Sequence, residues 1–224
     1  MASSDDLFDA IDLGDGDRVR FLLAEDPALA GARDPEGVSA LMRARYRGEP
    51  AIVNAIRGLG VPADGFEAAA FGEVDRLGAL LDADPALVTS YSADGFTPLH
   101  FAAFFGDGPT AALLLERGAE VEARGRGWMT GTALHSAAAS RNADVVELLL
   151  RARADPDARQ GGGWTPLHGA AHNGDARTVG LLLEAGADPA ARNDEGRSVL
   201  ELAEERGDPA TIDRVRRALD ATGT

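Results

Sequence analysis

The chain of 224 residues contains no cysteine and no lysine. The absence of cysteine excludes disulfides, thiolate metal sites and cysteine nucleophiles. Without lysine, arginine supplies the permanent positive side-chain charge, a bias typical of a coding sequence rich in G and C, so we expect a bacterial source. Aromatic residues are also scarce, at 5% of the chain with two tryptophans, which makes any cluster of them informative.

The sequence also lacks a long apolar run and an excess of positive charge. No apolar run approaches the roughly 18 to 20 residues that span a bilayer, and the acidic start MASSDDLFDA differs from a secretory signal. We therefore expect a cytoplasmic protein with no membrane span. The formal net charge of −15 argues against nucleic acid or an anionic membrane as the main partner, because both bind cationic surfaces.

A sequence unit recurs through the second half of the chain. Three related tetrapeptides, Thr97–His100, Thr132–His135 and Thr165–His168, start 35 and then 33 residues apart, and a degenerate copy follows at Ser198–Glu201. Each of the three is followed by a leucine-rich segment, at Leu113–Leu115, Leu148–Leu150 and Leu181–Leu183. This regular spacing predicts a protein built from structural repeats.

The first half of the chain carries the same unit in duplicated form. A shift of 58 residues aligns FDAIDLGDGDRVRFLLAEDPAL with FEAAAFGEVDRLGALLDADPAL, and EGVSALM with DGFTPLH. We divide the chain into about seven units, which begin near residues 5, 38, 65, 96, 132, 164 and 197, and predict that residues 1–224 form one domain. Because residues 61–64 lead into Phe66 without a long loop, we expect irregular stacking there.

The units resemble ankyrin repeats. The resemblance rests on the Thr-Pro-Leu-His tetrapeptide, the following Ala-Ala, the Gly-Asp turn, the leucine triplet and the Gly-Ala-Asp terminus. It is close over residues 94–207, weaker over residues 5–93, and departs from the family pattern at Met42, Ala133, Arg141 and Glu201. The resemblance implies an all-α fold, a solenoid of about seven stacked helix-turn-helix units with β-hairpin-like fingers. It also implies that binding uses the finger tips and the first helices, which line the concave face.

The residues of each unit favour such helix pairs on physical grounds. A threonine before a proline is a typical helix start, because threonine caps the helix and proline fits its first position. Small residues such as Ala102 and Ala103 let the first helix pack closely, and we expect Gly106 and Gly174 to end that helix in the left-handed conformation. The last unit begins with a Ser-x-x-Glu capping box, which fits a C-terminal cap.

The segment QGGGWTPLHGAAHN, residues 160–173, raises the alternatives of a metal site and a phosphate loop. His168 and His172 have the helical spacing of metal ligands, but the glutamate of a His-Glu-x-x-His motif is missing. Gly161–Gly163 lack the Gly-Lys-Ser/Thr ending of a P-loop. We predict no metal and no cofactor. The resemblance gives the recurring histidine a structural role, so the predicted structural turn consists of Thr97, His100, Thr132, His135, Thr165 and His168.

The scarce aromatic residues recur at matching places in the repeat and predict a binding surface. Phe104 and Phe105 correspond to His172 and Asn173 two units later, at the exposed end of the first helix. The loop RGRGWMTG carries two extra residues, which we expect to expose its Trp-Met pair at a finger tip. The predicted partner-binding residues are Phe96, Phe104, Phe105, Trp128, Met129, Trp164, His172 and Asn173. The alternative is that some of them are core, with one phenylalanine packed between helices and Trp164 bracing the neighbouring finger.

Two classes of function are compatible with this sequence. The first is a non-enzymatic scaffold or regulator that binds another protein through the concave face and finger tips, as the resemblance implies. The acidic composition favours a partner with an apolar anchor and a basic rim, and we expect the chain to be a monomer. The second is a small-ligand or enzymatic role on the concave face, with His172, Asn173 and a nearby carboxylate as polar groups. We find no catalytic motif, which favours the first class.

Overall fold

The structure, a computed structural model, describes residues 2–127 and 130–223 and is all-α. The helices are α1 (Ser4–Asp12), α2 (Gly16–Glu25), α3 (Ala40–Arg47), α4 (Pro50–Arg57), α5 (Gly65–Phe71), α6 (Val74–Ala83), α7 (Pro98–Phe104), α8 (Gly108–Glu116), α9 (Ala133–Ala139), α10 (Ala143–Arg151), α11 (Pro166–Asn173), α12 (Ala176–Glu184), α13 (Val199–Arg206) and α14 (Pro209–Thr222). Short 3₁₀ helices lie at Pro27–Gly31, Pro85–Thr89 and Gly161–Gly163. These seven helix pairs confirm the predicted all-α repeat fold.

The described residues fall into two compact units, residues 1–67 and residues 68–224. In residues 1–67, α1 packs on α3 and α2 packs on α4. In residues 68–224, each first helix packs on the next first helix from α7 to α13, and each second helix packs on the next from α6 to α14. The prediction that residues 1–224 form one domain stays a prediction.

The first helices begin where their capping residues predict. Thr97, Thr132, Thr165 and Ser198 are the N-caps of α7, α9, α11 and α13, and each forms a capping box with the side chain three residues later. The proline after two of these threonines occupies the first helical position, where its missing N–H costs no hydrogen bond. The capping chemistry therefore fixes where the first helix starts in these four units.

The histidine of the capping box also bridges to the following unit. In α11, Nδ1 of His168 accepts the backbone N–H of Thr165 at 3.3 Å and lies 2.8 Å from the threonine hydroxyl oxygen. Because Nδ1 accepts, Nε2 carries the proton and donates to the carbonyl of Arg197 at 3.3 Å. His100 and His135 make the same bridge, to the carbonyls of Gly131 and Trp164, both at 3.1 Å. Three buried imidazoles thus join four consecutive units.

Residues 1–67 hold a different bridge. Met42 stands where the other units have histidine, and its thioether cannot donate a hydrogen bond. The link comes from Glu67 instead, whose Oε1 accepts the hydroxyl of Ser39 at 2.5 Å while Oε2 accepts the backbone N–H of Asp64 at 2.9 Å. Glu67 is 6% exposed, so this bridge is buried like the imidazole ones. The direction is reversed, because the later unit reaches back to the earlier one.

One predicted helix end is wrong. Gly174 ends α11 in the left-handed conformation, with φ of 66°, as expected. Gly106 does not have a positive φ, and the C-cap of α7 is Phe105. A Cβ at residue 106 would lie 2.6 Å from the carbonyl oxygen of Ala69 and 2.9 Å from Cα of Ala102. Glycine is therefore required there by the close approach of two backbones and not by the turn.

Two arginines occupy left-handed positions that are glycine in sister units. Arg141 (φ 62°) corresponds to Gly174, and Arg153 (φ 67°) corresponds to Gly118 and Gly186, with φ of 89° and 93°. A side chain in this conformation brings Cβ close to the carbonyl oxygen and costs energy that glycine does not. The repeat therefore carries local backbone strain at these two turns.

Replacing His168 by alanine is expected to lower the free energy of unfolding by about 1–3 kcal/mol, because a buried N–H and a buried carbonyl lose their partner. Chemical denaturation followed by circular dichroism measures this change. His172→Ala on the same helix is the control, since its side chain is exposed. Wild-type stability in His168→Ala would contradict the structural role of the bridge.

The imidazole bridges also predict a loss of stability in acid. Burial lowers the pKa of His135 to about 4, and burial likewise lowers the pKa of His100 and His168. An unfolded histidine has a pKa near 6.5, so below that pH the unfolded chain binds more protons than the folded one. The stability from neutral His135 is complete above about pH 6.5 and is lost as the pH falls towards 4.

The test compares the wild type with His135→Asn, which cannot titrate at this site. The difference in free energy of unfolding between the two proteins should shrink by about 1–3 kcal/mol from pH 7 to pH 4. Urea titrations at a series of pH values measure it. A difference that stays constant with pH would refute the assignment of a buried neutral imidazole.

Substitution of Arg153 by glycine is expected to stabilise the chain by about 0.5–1 kcal/mol, because relief of the left-handed strain exceeds the added backbone entropy. The side chain of Arg153 is exposed, so little packing is lost. Arg153→Ala is the matched control, since it removes the guanidinium but keeps Cβ and should leave stability nearly unchanged. An equal gain in both variants would place the effect in the side chain and not in the backbone.

Candidate functional site

The C-terminal end of helix α7 presents two phenylalanines at the protein surface. Phe104 is 37% exposed and Phe105 is half-buried. Their rings meet edge to face with centroids 4.6 Å apart, a favourable geometry for an aromatic pair. The exposed ring is therefore held by a neighbour, which lowers the entropy that a partner would have to remove on binding.

Trp164 and His172 form a second aromatic group, on helix α11 and the residue before its N-cap. The Trp164 ring is half-buried, with its centroid 5.8 Å from the ring of His168 and 6.0 Å from the ring of His172. His168 is fixed by hydrogen bonds at both ring nitrogens, whereas His172 is exposed. The indole of Trp164 thus lies next to the fixed imidazole of His168 and meets the exposed imidazole of His172 edge to face.

Two predicted binding residues belong to the packing instead. Phe96 is 5% exposed and packs edge to face on Phe101, so its ring is not available to a partner. Asn173 is half-buried, and its amide nitrogen donates to the carbonyls of Ala138 and Ala139 at 3.3 and 2.9 Å. The expectation that these two side chains face a partner is therefore corrected: one is core and the other joins adjacent first helices.

Phe96 is buried and Trp164 is half-buried because of a residue nearby in the chain. Both residues precede the threonine of their unit, but four residues after that threonine one unit has Phe101 and the other has Gly169. Phe101 covers the ring of Phe96 with centroids 6.1 Å apart. Nothing lies within 4 Å of the Cβ position of Gly169, so the corresponding space beside Trp164 is open.

Aligning the units at their helix starts reveals aromatic residues that the sequence reasoning missed. The seventh residue after the cap is Tyr46 after Ser39 and Phe71 after Asp64, at the position of Phe104 in its own unit. Tyr46 is 37% exposed and Phe71 is half-buried. The comparison of only two units hid this recurrence, and an alignment of all seven at the capping residue would have found it.

The long finger between α8 and α9 carries Trp128 and Met129, which lie outside the described residues. The residues before them are anchored on the preceding finger: the backbone N–H of Arg126 donates to the carbonyl of Gly95 at 2.8 Å, and its guanidinium lies 3.5 Å from the ring centroid of Tyr91. A Cβ at Gly127 would lie 2.3 Å from the carbonyl oxygen of Asp94, so only glycine allows this contact. These contacts fix the positions of Arg126 and Gly127 against the preceding finger.

Arginine side chains connect the fingers of residues 68–224. The guanidinium of Arg124 donates to the carbonyl of Arg159 at 2.6 Å, and that of Arg159 donates to the carbonyl of Arg192 at 3.1 Å. Each arginine therefore spans from one finger to the next. The guanidinium groups of Arg124 and Arg159 therefore stabilise the arrangement of the fingers.

A carboxylate follows each aromatic group in the chain, and an arginine lies near the second group, because the guanidinium of Arg141 donates to the carbonyl of Gly174 at 3.3 Å. Asp107 and Asp175 are the N-caps of the helices that follow α7 and α11, and each accepts a backbone N–H from the threonine three residues later. Asp107 is exposed and Asp175 is half-buried. Carboxylates at helix N-termini are favoured by the helix dipole, so these groups are structural as well as a source of negative charge.

The alternative of a metal site at His168 and His172 can be compared with the hydrogen bonds of His168. Both ring nitrogens of His168 are engaged in hydrogen bonds, so it cannot ligate a metal together with His172 without breaking the turn. Across residues 2–127 and 130–223, no group of three or more His, Asp or Glu side chains is placed to hold a metal ion. Nor does this part of the chain contain a helix with the length and apolarity to cross a bilayer.

Comparison with known proteins gives partial matches to larger proteins. The ankyrin repeat and SAM domain-containing protein 6 of Rattus norvegicus is 35% identical over 46% of this chain and 11% of its own length. The neurogenic locus notch homolog protein 4 of Homo sapiens is 36% identical over 60% of this chain and 6% of its own. The probable E3 ubiquitin-protein ligase XBOS31 of Oryza sativa subsp. japonica is 40% identical over 41% of this chain and 20% of its own.

These relatives share the repeat and not the whole architecture. The matched region spans a fifth or less of each relative's length, and all three come from eukaryotes, so the expected bacterial source stays a prediction. The family model for ankyrin repeats (three copies) matches residues 66–160 and 134–215, which together cover more than half of the chain. The chain belongs to the ankyrin repeat family.

Proposed function

We propose that the chain is a non-enzymatic interaction module that binds another protein through first-helix ends and finger tips within residues 68–224. Ankyrin repeats are in general protein–protein interaction modules. The observation that carries the proposal is the pair of aromatic groups, Phe104 with Phe105 and Trp164 with His172, in a chain with only 5% aromatic residues; we call them the aromatic surface. Trp128 and Met129, which lie outside the described residues, are proposed as partner-binding residues from the sequence alone.

Aromatic side chains at these positions suit a binding hot spot. A tryptophan or phenylalanine can bury 150–250 Å² and so contributes a large apolar area for few rotatable bonds. Hot spots are enriched in tryptophan and need a surrounding that excludes water. Trp164 rests on the fixed ring of His168, so a partner that covers it meets a side chain that is already oriented.

The charge of the chain narrows the class of partner. The net charge is −15, and Asp107 and Asp175 are the N-caps of α8 and α12, the helices that follow the two aromatic groups in the chain. A partner with a basic rim around an apolar anchor would gain favourable electrostatics and a faster association rate. We infer a basic protein partner, with the chain itself acting as a cytoplasmic monomer.

A small-ligand or enzymatic role on the concave face is the second candidate, because exposed His172 lies beside Trp164. One relative is named as a probable ubiquitin ligase, but the match covers 20% of that protein, so its named activity supports no assignment here. A thermal-shift screen against metals, nucleotides and metabolites separates the candidates. A large saturable shift from a small molecule would favour this second role.

Replacement of either tryptophan by alanine is expected to weaken binding of the native protein partner by more than about 1 kcal/mol, which is the range of interface hot spots. Pull-down with the whole chain from lysate of its source organism, followed by mass spectrometry, supplies the partner. Isothermal titration calorimetry with that purified partner then compares the wild type with Trp128→Ala and Trp164→Ala.

Phe21→Ala is the matched control, because Phe21 is a 52% exposed aromatic side chain on the second helix α2. It should leave the affinity unchanged. Each variant must also keep the wild-type melting temperature, since Trp164 contacts His168 of the turn. Normal binding by both tryptophan variants, with loss of binding on substitution of exposed second-helix residues, would place the interface on the opposite face.

A further inference from the structure

The connection between α4 and α5 lacks a finger. It comprises residues 58–64, half as many as residues 26–39, which connect α2 to α3. Beside the missing finger lies a pocket of about 70 Å³, with apolar walls formed by Ala30, Leu41, Ile56, Val61 and Pro62. A site that can hold a water needs about 10–15 Å³ by this kind of measure, so the pocket has room for a small aliphatic side chain.

The pocket is lined by two arginines and two carboxylates, and one arginine is paired with one carboxylate. Arg33 and Arg57 line it together with Asp64 and Glu67, which gives a formal charge of zero. Nη2 of Arg33 lies 2.7 Å from Oδ2 of Asp64, and Glu67 accepts the hydroxyl of Ser39. Neither a free anion nor a free cation is favoured by this lining. The lining thus combines these charged side chains with apolar ones, and it favours a ligand that has both a polar donor and an apolar group.

One residue of the pocket lining, Val61, has an exposed aliphatic side chain. Val61 is 44% exposed, and nearby in the chain Leu59 is 41% exposed. These two are among the few large apolar side chains that the described residues expose to this extent. An apolar group that covered Val61 would remove it from water, which is favourable.

The finger formed by residues 26–39 has a backbone carbonyl, that of Gly37, whose counterpart in a later finger binds the finger after it. The carbonyl of Gly95 accepts the backbone N–H of Arg126 from the next finger at 2.8 Å. Gly37 is the counterpart of Gly95 in the 58-residue duplication and has the same φ of 88°. The carbonyl of Gly37 accepts the guanidinium of Arg33 of its own finger at 3.0 Å. A carbonyl has two lone pairs and can accept a second donor.

We propose that this finger gap binds an extended segment of another polypeptide chain. The segment takes the place of the missing finger, donates a backbone N–H to the carbonyl of Gly37, and inserts an aliphatic side chain between Ile56 and Val61. A peptide supplies both a main-chain donor and an apolar group, whereas an ion supplies neither. The site is independent of the aromatic surface and extends the interactions of the chain beyond it.

Gly31 allows the pocket to be filled in a controlled way. It lines the pocket, its φ is not positive, and the nearest atom to an added Cβ is Cγ1 of Val61 at 3.9 Å. Gly31→Leu should therefore occupy the space that the peptide side chain needs, while Gly31→Ala leaves most of it open. Val61→Asp is a second variant, because Val61 is exposed and a carboxylate at the mouth opposes an apolar ligand.

The probe is a phage-displayed library of random linear peptides about 12 residues long, selected on the full wild-type chain. We expect recovered peptides with an aliphatic residue in a proline-free stretch, bound at least tenfold more weakly by Gly31→Leu and Val61→Asp than by wild type or Gly31→Ala. Backbone amide NMR signals of Gly37 and Val61 should shift on addition of these peptides. Circular dichroism and melting curves confirm that each variant is folded.

The proposal is overturned if no recovered peptide distinguishes wild type from both pocket variants. It is also overturned if the peptides lose affinity for Trp164→Ala but not for Gly31→Leu, since they would then bind the aromatic surface. Because the two sites use different residues, loss of the finger-gap peptides leaves the proposed partner surface unaffected. If the tryptophan variants do not weaken partner binding, the proposed peptide site at the finger gap is likewise unaffected.

Discussion

The hydrogen bond from a buried imidazole to the backbone of the following unit is the interaction on which residues 68–224 depend. Each helix pair is too small to bury its apolar face alone and must be stacked on a neighbour. Hydrophobic contact between helices is non-directional and leaves many relative positions nearly equal in energy. The bond from Nε2 of His135 to the carbonyl of Trp164, 29 residues away, selects one of them. The stacking of helices and the placement of the fingers follow from that choice.

The buried position of the imidazole explains why the hydrogen bond is strong and also why it is sensitive to protonation of the ring. Nδ1 of His168 accepts a backbone N–H, so a proton added at this nitrogen would face a donor. Only the neutral ring with its proton on Nε2 satisfies both neighbours. Residues 1–67 use a carboxylate from Glu67 for the same purpose, with Ser39 as the donor. Two chemically different side chains therefore serve one geometric function, which is to fix a turn against the adjacent unit.

The repeat, the helix starts and the number of helix pairs could be predicted from the sequence because they depend on residues close together in the chain. Thr165, Pro166 and His168 define the start of α11 without reference to the rest of the molecule. The burial of Phe96 could not be predicted in this way, because Phe101 decides it by covering the ring. Likewise Gly106 is required by a backbone atom of Ala69, which no local rule identifies. Local chemistry thus predicted the elements, and packing between them decided which candidate site residues are accessible.

The imidazole bridges all point the same way, from one unit to the backbone of the next. His100 reaches Gly131, His135 reaches Trp164 and His168 reaches Arg197, so each donor precedes its acceptor in the chain. Synthesis on the ribosome proceeds from the N-terminus, so each of these three units is completed before the carbonyl that its imidazole will bind has been made. Water must satisfy that imidazole until the next unit arrives. The order of synthesis thus places each imidazole donor ahead of its acceptor in these three units.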